Sequence, residues 1–543
     1  LGEEKIVTMA NYMNGPGWTE LATEPVFGRP TKVWRERPKQ VLDLLTLATA
    51  PAELPFLVQG SRRITFGAFR NALDPAAAEL ARLGVRAKDH VLIVLYNSPD
   101  FLLAQWAAWR IGAVPVLGNR WWSERELVEV IGRVNPALII TDMAVPENVA
   151  SRTKVISPKV VATWWDLPRP ASPPAPARFD DIREDDVALM VFTAGSTGVP
   201  KGVQQSHRGL CATQQTLHAM RGSRPPLPAS EAQQKVTLMT TPMFHNGGVV
   251  SGLSSLIDGN RIAMLQGRFV PEEVMDVIQR ERVTSWQAVP TMFSRVLDHP
   301  KFASYDLTSL VAPSSGGAVV TSELANEVRG KLPHAAKTFA VGYGMTELSY
   351  MTMALASQLD QKPGTVGKTI PGVELRIDNP DETGEGEICG RAAITMVGYF
   401  GGEEEQPIDA AGWLHTGDLG RIDADGYLYV TGRLKDMVIR GGENIACPNV
   451  EQALLLHPNV LEVAVVGYPH KELGEEVAAI VYARPGSNVS ETELRDFAKS
   501  HLAYFEVPSR WFFRKEPMPV LPTGKIDKRS LRKELVEGAP SRG

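Results

Sequence analysis

The sequence predicts an α/β protein. A large N-terminal domain, residues 1–434, has doubly wound parallel sheets and a small antiparallel, barrel-like β subdomain, and a small α+β C-terminal domain spans residues 435–543. Three observations carry this expectation. Short β-rich runs alternate with helical ones from Val187 to about Val341, the texture changes after about Gly364 to short strands with turn signals, and past TGRLKD the chain resets to a compact mixture of both. At 543 residues the chain is also longer than one hydrophobic core usually supports.

In chain order, VLIVLY (Val91 to Tyr96) reads as a buried strand and DFLLAQWAAWRIGA as an amphipathic helix. The proline cluster LPRPASPPAPA, Leu167 to Ala177, cannot form a regular element and is expected to be a connector between two α/β regions. Beyond it, VALMVF is a strand that enters a glycine-rich loop, and HRGLCATQQTLHAM has helical spacing. KVTLMTTP, RIAMLQ and TSWQAV recur as strands around the helix PEEVMDVIQRE, a rhythm that calls for a parallel sheet. VELRID, GEGEIC and GYLYVTG, with turn residues between them, make the antiparallel region. In the last part PNVEQALLL and SETELRDFAKSHL are helical, while LEVAVVGY, EVAAIVYA and VPSRWFF are strands.

The 57 basic and 62 acidic residues nearly balance, so bulk charge asks for neither nucleic acid nor an anionic membrane, and the expected partners are small molecules. Cys211, Cys389 and Cys447 are odd in number, far apart and without metal-ligand spacing, which suits unpaired thiols in a reducing, cytoplasmic setting. No window approaches the roughly 20 apolar residues that span a bilayer, and the opening lacks the pattern of an export signal. Residues before Met9 are kept out of the fold expectation. Composition leaves monomer or homodimer open.

The chemistry begins at FTAGSTGVPKG, Phe192 to Gly202. Three glycines interleaved with Thr193, Ser196, Thr197 and Lys201 exceed what a plain turn requires, and backbone N–H groups, hydroxyls and one ammonium on such a loop suit a polyphosphate. A mobile surface loop is the alternative. The stretch is not a Walker A loop, because Gly202 follows its lysine, and GYGMTE is not a dinucleotide fingerprint, because Glu347 stands where the last glycine belongs. A GxSxG elbow and an HExxH pair are both missing, which removes the best support for serine hydrolases and zincins.

Four further segments join the loop. GYGMTE, Gly342 to Glu347, follows an apolar strand and so lies at a strand's carboxyl end, where open α/β sheets bind ligands. HTGDLG places Asp418 on a glycine-flanked turn suited to vicinal hydroxyls. TGRLKDMVIRGGENIACP supplies Arg433 and a paired-glycine turn, and LPTGKIDKR puts Lys525 on a tight turn near the C-terminus. In order and spacing these five motifs resemble the adenylate-forming superfamily of acyl-CoA synthetases, adenylation domains and beetle luciferases, over roughly residues 40 to 535.

That resemblance implies an AMP-forming acyl-CoA ligase that uses ATP, Mg2+ and CoA and acts through an acyl-adenylate. It implies that Thr193, Ser196, Thr197, Gly198 and Lys201 bind the triphosphate, Thr346 the α-phosphate and Glu347 the metal, a carboxylate apt for a hard cation. Asp418 and Arg433 would take the ribose, and Gly316, Gly317, Ala318, Tyr343 and Gly344 the adenine side. Lys525 would neutralise charge as carboxylate meets phosphate. His245 would border the carboxylate and thiol path, with Asn246, Gly247 and Leu348 along the acyl pocket. In the resemblance the small C-terminal domain is mobile. It pivots at Lys435, presenting Lys525 for the first half-reaction and Gly441-Gly442, on the CoA side, for the second.

Read alone, His245 fits an ordinary hydrogen-bonded histidine, Asp418 a turn cap and Lys435 a solvated lysine. Ala194 departs from the serine frequent in the family's loop, which removes one hydroxyl, and Arg440 does not identify the acceptor. Gly247 and Gly248 either free volume for a medium- or long-chain, aromatic or polycyclic acid or let a helix start close to its loop. Ser349, Tyr350, Trp286 and Gln287 are further pocket candidates, and none offers a carboxylate for a substrate ammonium. Transfer to a carrier protein, a luciferase-type oxygenase and a degenerate nucleotide-binding protein are the competing readings.

Overall fold

The computed structural model describes residues 16–170, 182–193, 200–221, 227–402, 406–440 and 443–537. Two large sheets dominate the first part. In the nine-stranded sheet the strands Pro55–Gln59, Arg261–Met264, Val236–Met239, Ser285–Ala288, Ala312–Gly316 and Ala340–Tyr343 lie side by side and parallel. Antiparallel strands close its edges, Arg62–Thr65 on one side, Thr352–Leu355 and Lys368–Thr369 on the other. The seven-stranded sheet is parallel from Lys154–Ile156 through Leu138–Thr141, His90–Val94 and Val114–Leu117 to Val187–Thr193, then antiparallel through Lys201–Ser206 to Gly398–Tyr399. Strands such as LIIT are buried at every position, as parallel strands covered on both faces must be.

The sheets do not divide where the proline cluster suggests. Val187–Thr193 rejoins the sheet built before the cluster, and Pro55–Gln59 belongs to the sheet built mostly after it. Parallel pairing is non-local, so strand signals alone do not assign a strand to its sheet. Of the cluster, residues 171–177 lie outside the described residues. The helix Pro99–Arg110, expected to be amphipathic, is buried from Pro99 to Trp109 because it packs against strands of both sheets. Its Trp109 indole N–H reaches the Ala188 carbonyl at 2.6 Å, pinning it to Val187–Thr193. The Ser98 hydroxyl caps its start by accepting from the Phe101 N–H.

A four-stranded antiparallel meander follows: Val373–Asp378, Gly386–Ala392, Leu414–Ile422 and Leu428–Arg433. The short turn Leu434–Asp436 leads to Met437–Arg440, which belongs to a different, five-stranded sheet with Glu443–Ala446, Val460–His470, Gly474–Ala483 and Arg510–Arg514. The helices Cys447–Leu455 and Glu491–Lys499 share a core with this sheet through Val450, Leu454, Leu494 and Ala498. Sheet membership thus changes across Lys435.

Candidate active site

Four neighbouring parallel strands deliver the site at their carboxyl ends. Ala340–Tyr343 ends on Tyr343, Ala312–Gly316 on Gly316, Ser285–Ala288 carries Gln287, and Val236–Met239 leads to His245. Gly316 is required by packing: a Cβ there would lie 2.5 Å from the Gly342 carbonyl oxygen. Gly317, at φ +78°, turns the chain out of the strand, and both it and Ala318 are exposed. At Gly344 a Cβ would lie 1.9 Å from the Ser349 carbonyl oxygen, so this glycine allows the turn to fold back on itself.

Asp418 and Arg433 face each other across adjacent strands of the meander, with Arg433 Nε 3.2 Å from Asp418 Oδ1. The Tyr343 hydroxyl donates to Asp418 Oδ2 at 2.8 Å, which ties the meander to the nine-stranded sheet. Burial pushes the Asp418 carboxyl up, while Arg433 and Tyr343 act against that rise. His415, three residues earlier, does not join them; it meets Glu387 at 2.8 Å beside Cys389.

Glu347 sits in the short turn Thr346–Leu348 and is 6% exposed. Its Oε1 accepts from the Tyr399 hydroxyl at 2.9 Å, and its backbone carbonyl accepts from Met396 N–H at 2.8 Å. Burial raises its pKa, and the Tyr399 hydrogen bond opposes that rise. The Lys201 ammonium lies 4.9 Å from the centre of the Tyr399 ring, and Gln205 Nε2 donates to the Thr346 carbonyl at 2.7 Å.

Lys201 and Gln205 belong to the strand Lys201–Ser206, where sequence reasoning saw only loop before the next helix. Residue types there are too polar to announce a strand, and its pairing with Val187–Thr193 supplies what local pattern lacks. Thr193 and Lys201 are cross-strand partners at the base of the glycine-rich loop. Ser196, Thr197 and Gly198, with Ala194, lie outside the described residues, as do Gly441 and Gly442. Lys435 lies in the turn Leu434–Asp436 between the two sheets.

Lys525 comes to the same place from the other end of the chain. Its turn is closed by Leu521 N–H to the Lys525 carbonyl at 2.7 Å and by Gly524 N–H to the Leu521 carbonyl at 2.8 Å. The Lys525 Cε lies 3.7 Å from where a Gly317 Cβ would stand. Its pKa is lowered, by burial first and the Arg433 charge second, while Asp418 and Glu347 pull the other way. His245 is pushed down to about 3, by burial first and then by the Lys525 charge. His245 Nε2 is shielded from solvent and meets no hydrogen-bond partner among the described residues.

The expected acyl pocket divides in two. Asn246 opens the helix Asn246–Asp258, and its Nδ2 donates to Ser349 Oγ at 3.1 Å. Gln287 and the Tyr350 hydroxyl are hydrogen-bonded at 2.8 Å and both keep solvent access. Trp286 and Leu348 point elsewhere. Trp286 is 1% exposed and its indole N–H reaches Thr240 Oγ1, because alternation on the strand sends it to the helix layer. Leu348 is fully buried, close against Gly390. The glycine pair also splits: a Cβ on Gly248 would lie 2.4 Å from the Pro242 carbonyl oxygen, whereas one on Gly247 meets only Thr241 Cγ2 at 3.4 Å. Gly248 therefore serves close packing of the helix start on its loop.

The chain resembles known proteins over most of its length. Residues 46–400 match the model of the AMP-binding enzyme family, and residues 449–525 that of the AMP-binding enzyme C-terminal domain. The chain is 31% identical over 514 residues to 4-coumarate:CoA ligase 1 of Petunia hybrida, covering 90% of this chain and 92% of that one. It is 32% identical over 517 residues to 3-[(3aS,4S,7aS)-7a-methyl-1,5-dioxo-octahydro-1H-inden-4-yl]propanoyl:CoA ligase of Rhodococcus jostii, covering 89% and 96%. Among solved structures, o-succinylbenzoate CoA synthetase of Bacillus subtilis in complex with its acyl-adenylate intermediate superimposes with a TM-score of 0.75 at 27% identity, over 91% of this chain and 98% of that one. The chain belongs to the AMP-binding enzyme family. Among the described residues no helix is long and apolar enough to cross a membrane.

Proposed function

We propose that the protein is an ATP-dependent acid:CoA ligase that makes an acyl-adenylate and passes the acyl group to CoA. One observation carries the reading: Lys525, on a turn near the C-terminus, converges on Arg433, Asp418, Glu347 and His245 at the carboxyl edge of a parallel sheet. In the first step a carboxylate oxygen of the acid bonds to the α-phosphorus of ATP as the bond to pyrophosphate breaks. Two anions meet there, and positive charge fixed in advance lowers that barrier without rearrangement at the moment of reaction. Lys525 supplies that charge in this reading. In the second step the sulfur of CoA bonds to the acyl carbon, the bond to phosphate breaks and AMP leaves.

The other residues bind and orient. Thr193, Ser196, Thr197, Gly198 and Lys201 hold the outer phosphates, Thr346 the α-phosphate, and Asp418 with Arg433 the ribose, while Gly316, Gly317, Ala318, Tyr343 and Gly344 border adenine. Glu347 fits Mg2+, since its buried carboxylate forms no salt bridge among the described residues and carboxylate oxygen is the donor a hard cation prefers, and the metal when bound would offset phosphate charge. The catalytic parts divide into residues 1–434 and 435–543, a division supported by the change of sheet at Lys435. The smaller part turns about that residue to present Gly441 and Gly442, beside the CoA path, for the second step.

The acid is an aromatic or polycyclic one. The names of the relatives support this class, and the Gln287–Tyr350 amide and phenol offer hydrogen bonds to a polar ring substituent. The test is a panel of acids with ATP, Mg2+ and CoA, read by mass spectrometry alongside pyrophosphate exchange. CoA thioester and AMP are expected from an aromatic or polycyclic member. Adenylate without transfer to CoA, but with transfer to a holo-carrier protein, would replace the ligase reading, and absence of both half-reactions would mark a degenerate nucleotide-binding protein.

A further inference from the structure

We infer that Thr291 and Arg295 are positioning residues for adenylation: from one face of a single helix they grip both ends of the segment Met518–Gly524 and thereby aim Lys525. The inference rests on the reading of Lys525 given above. The helix Pro290–Leu297 buries Met292, Phe293, Val296 and Leu297 in the core of the large domain, so its backbone is held firmly. Residues four apart share a helix face. Thr291 and Arg295 do so, and both face the C-terminal part.

Thr291 Oγ1 donates to the carbonyl of Gly524, the residue before Lys525. Arg295 Nη2 donates to the Met518 carbonyl at 2.9 Å, and its Nε donates to Glu462 Oε1 at 3.0 Å. Glu462 Oε2 in turn accepts from Met518 N–H at 2.6 Å, so both backbone groups of Met518 are engaged. The Glu462 side chain is 3% exposed. Gly524, at φ +80°, leaves no room for a side chain, since a Cβ would lie 2.8 Å from Val289 Cγ2 and 2.9 Å from Met292 Cε. The turn is therefore clamped at its root by Arg295 and at its tip by Thr291, with the Lys525 ammonium carried one residue further.

These contacts exist only while the C-terminal part presents Lys525. Turning the other face inward separates Arg295 from Glu462 and Met518, and Thr291 from Gly524, so the hydrogen bonds that hold the turn are lost. The clamp thus favours the first half-reaction and opposes the second, so the two steps respond differently to its removal.

The test compares pyrophosphate exchange with the conversion of supplied acyl-adenylate and CoA, in the full chain carrying Thr291→Val, Arg295→Met, Arg295→Lys or Lys525→Ala. Thr291→Val is expected to lower the exchange kcat about fivefold and Arg295→Met about thirtyfold, with the KM for ATP little changed. Arg295→Lys should recover part of the loss, and adenylate conversion should stay level or rise in all three. Thr291→Val removes no charge, which keeps the test open should Arg295→Met fold poorly. Unchanged exchange in Thr291→Val and Arg295→Met while Lys525→Ala loses it would overturn the clamp and spare the Lys525 reading. An equal fall of both half-reactions would also overturn the clamp. Intact exchange in Lys525→Ala would overturn the Lys525 reading and the clamp together.

Discussion

The Tyr343 hydroxyl donates to Asp418 at 2.8 Å and joins two sheets that are otherwise built from separate parts of the chain. The bond fixes the carboxylate toward Arg433 on the next strand. If Asp418 holds the ribose, Tyr343→Phe removes one orienting hydrogen bond, and the KM for ATP should rise about fivefold with kcat nearly unchanged. Asp418→Ala should raise it further. Steady-state kinetics with ATP varied checks both, and a fall in kcat alone would contradict the ribose role.

Tyr399 stabilises the ionised form of Glu347 by donating to it at 2.9 Å. A hydrogen bond to the charged form lowers a carboxyl pKa, so Tyr399→Phe should raise that of Glu347 further above its ordinary value. If Glu347 holds Mg2+, the ionised carboxylate is the form that binds it. Activity should therefore fail at a higher pH in Tyr399→Phe as the solution is acidified, which the acid limb of kcat/KM for adenylation measures. Glu347→Gln, which resembles the neutral form, should cost about a hundredfold in pyrophosphate exchange above the acid limb and progressively less along it.

Gly247 and Gly248 predict opposite outcomes for one added methyl group. Gly248→Ala forces the helix start off the Pro242 carbonyl, a backbone contact that cannot swing aside, and should destabilise the fold by about 2 kcal/mol. Gly247→Ala meets only a threonine methyl and should leave thermal stability within about 0.5 kcal/mol of the parent. Thermal or denaturant unfolding of the two variants reads the difference, and equal losses would contradict the packing explanation.

His245 makes stability depend on acidity. In the unfolded chain the ring takes up a proton near pH 6.5, whereas in the folded protein it resists until about 3. Unfolding therefore gains a proton as pH falls through that window. The stability contributed by the neutral ring is complete above about pH 6.5 and is lost progressively below it. His207, held down to about 4 by burial, adds a component of the same sign. Urea unfolding at pH 7 and pH 5 should show His245→Gln losing about 2 kcal/mol less than the parent between those values. An identical loss would mean that the ring protonates freely in the folded state.

The residues that were legible beforehand share one property. Thr193, Lys201, Thr346, Glu347, Asp418, Arg433 and Lys525 lie in or beside glycine-rich turns, where unusual residue types crowd together because backbone and side chain must both approach a ligand. Tyr399, Gln205, Thr291 and Arg295 were illegible because each is an ordinary residue on a regular strand or helix. Nothing in their neighbours in sequence marks Tyr399 as the partner of Glu347, 52 positions away, or Arg295 as the partner of Glu462, 167 positions away.

The amino-acid sequence by itself determined the α/β class, the antiparallel insert, the separate character of the last part and the five loops that belong to an AMP-binding enzyme. Hydrophobic period and turn chemistry are local properties, and local properties can be read along a chain. Only the tertiary structure decided that Val187–Thr193 and Pro55–Gln59 pair with strands across the proline cluster, that Gly248 is a packing glycine, that Trp286 and Leu348 face the core, and that one helix of the large domain holds the turn of Lys525. Those outcomes depend on which distant surfaces bury each other, and burial is a property of the assembled chain that no short window contains.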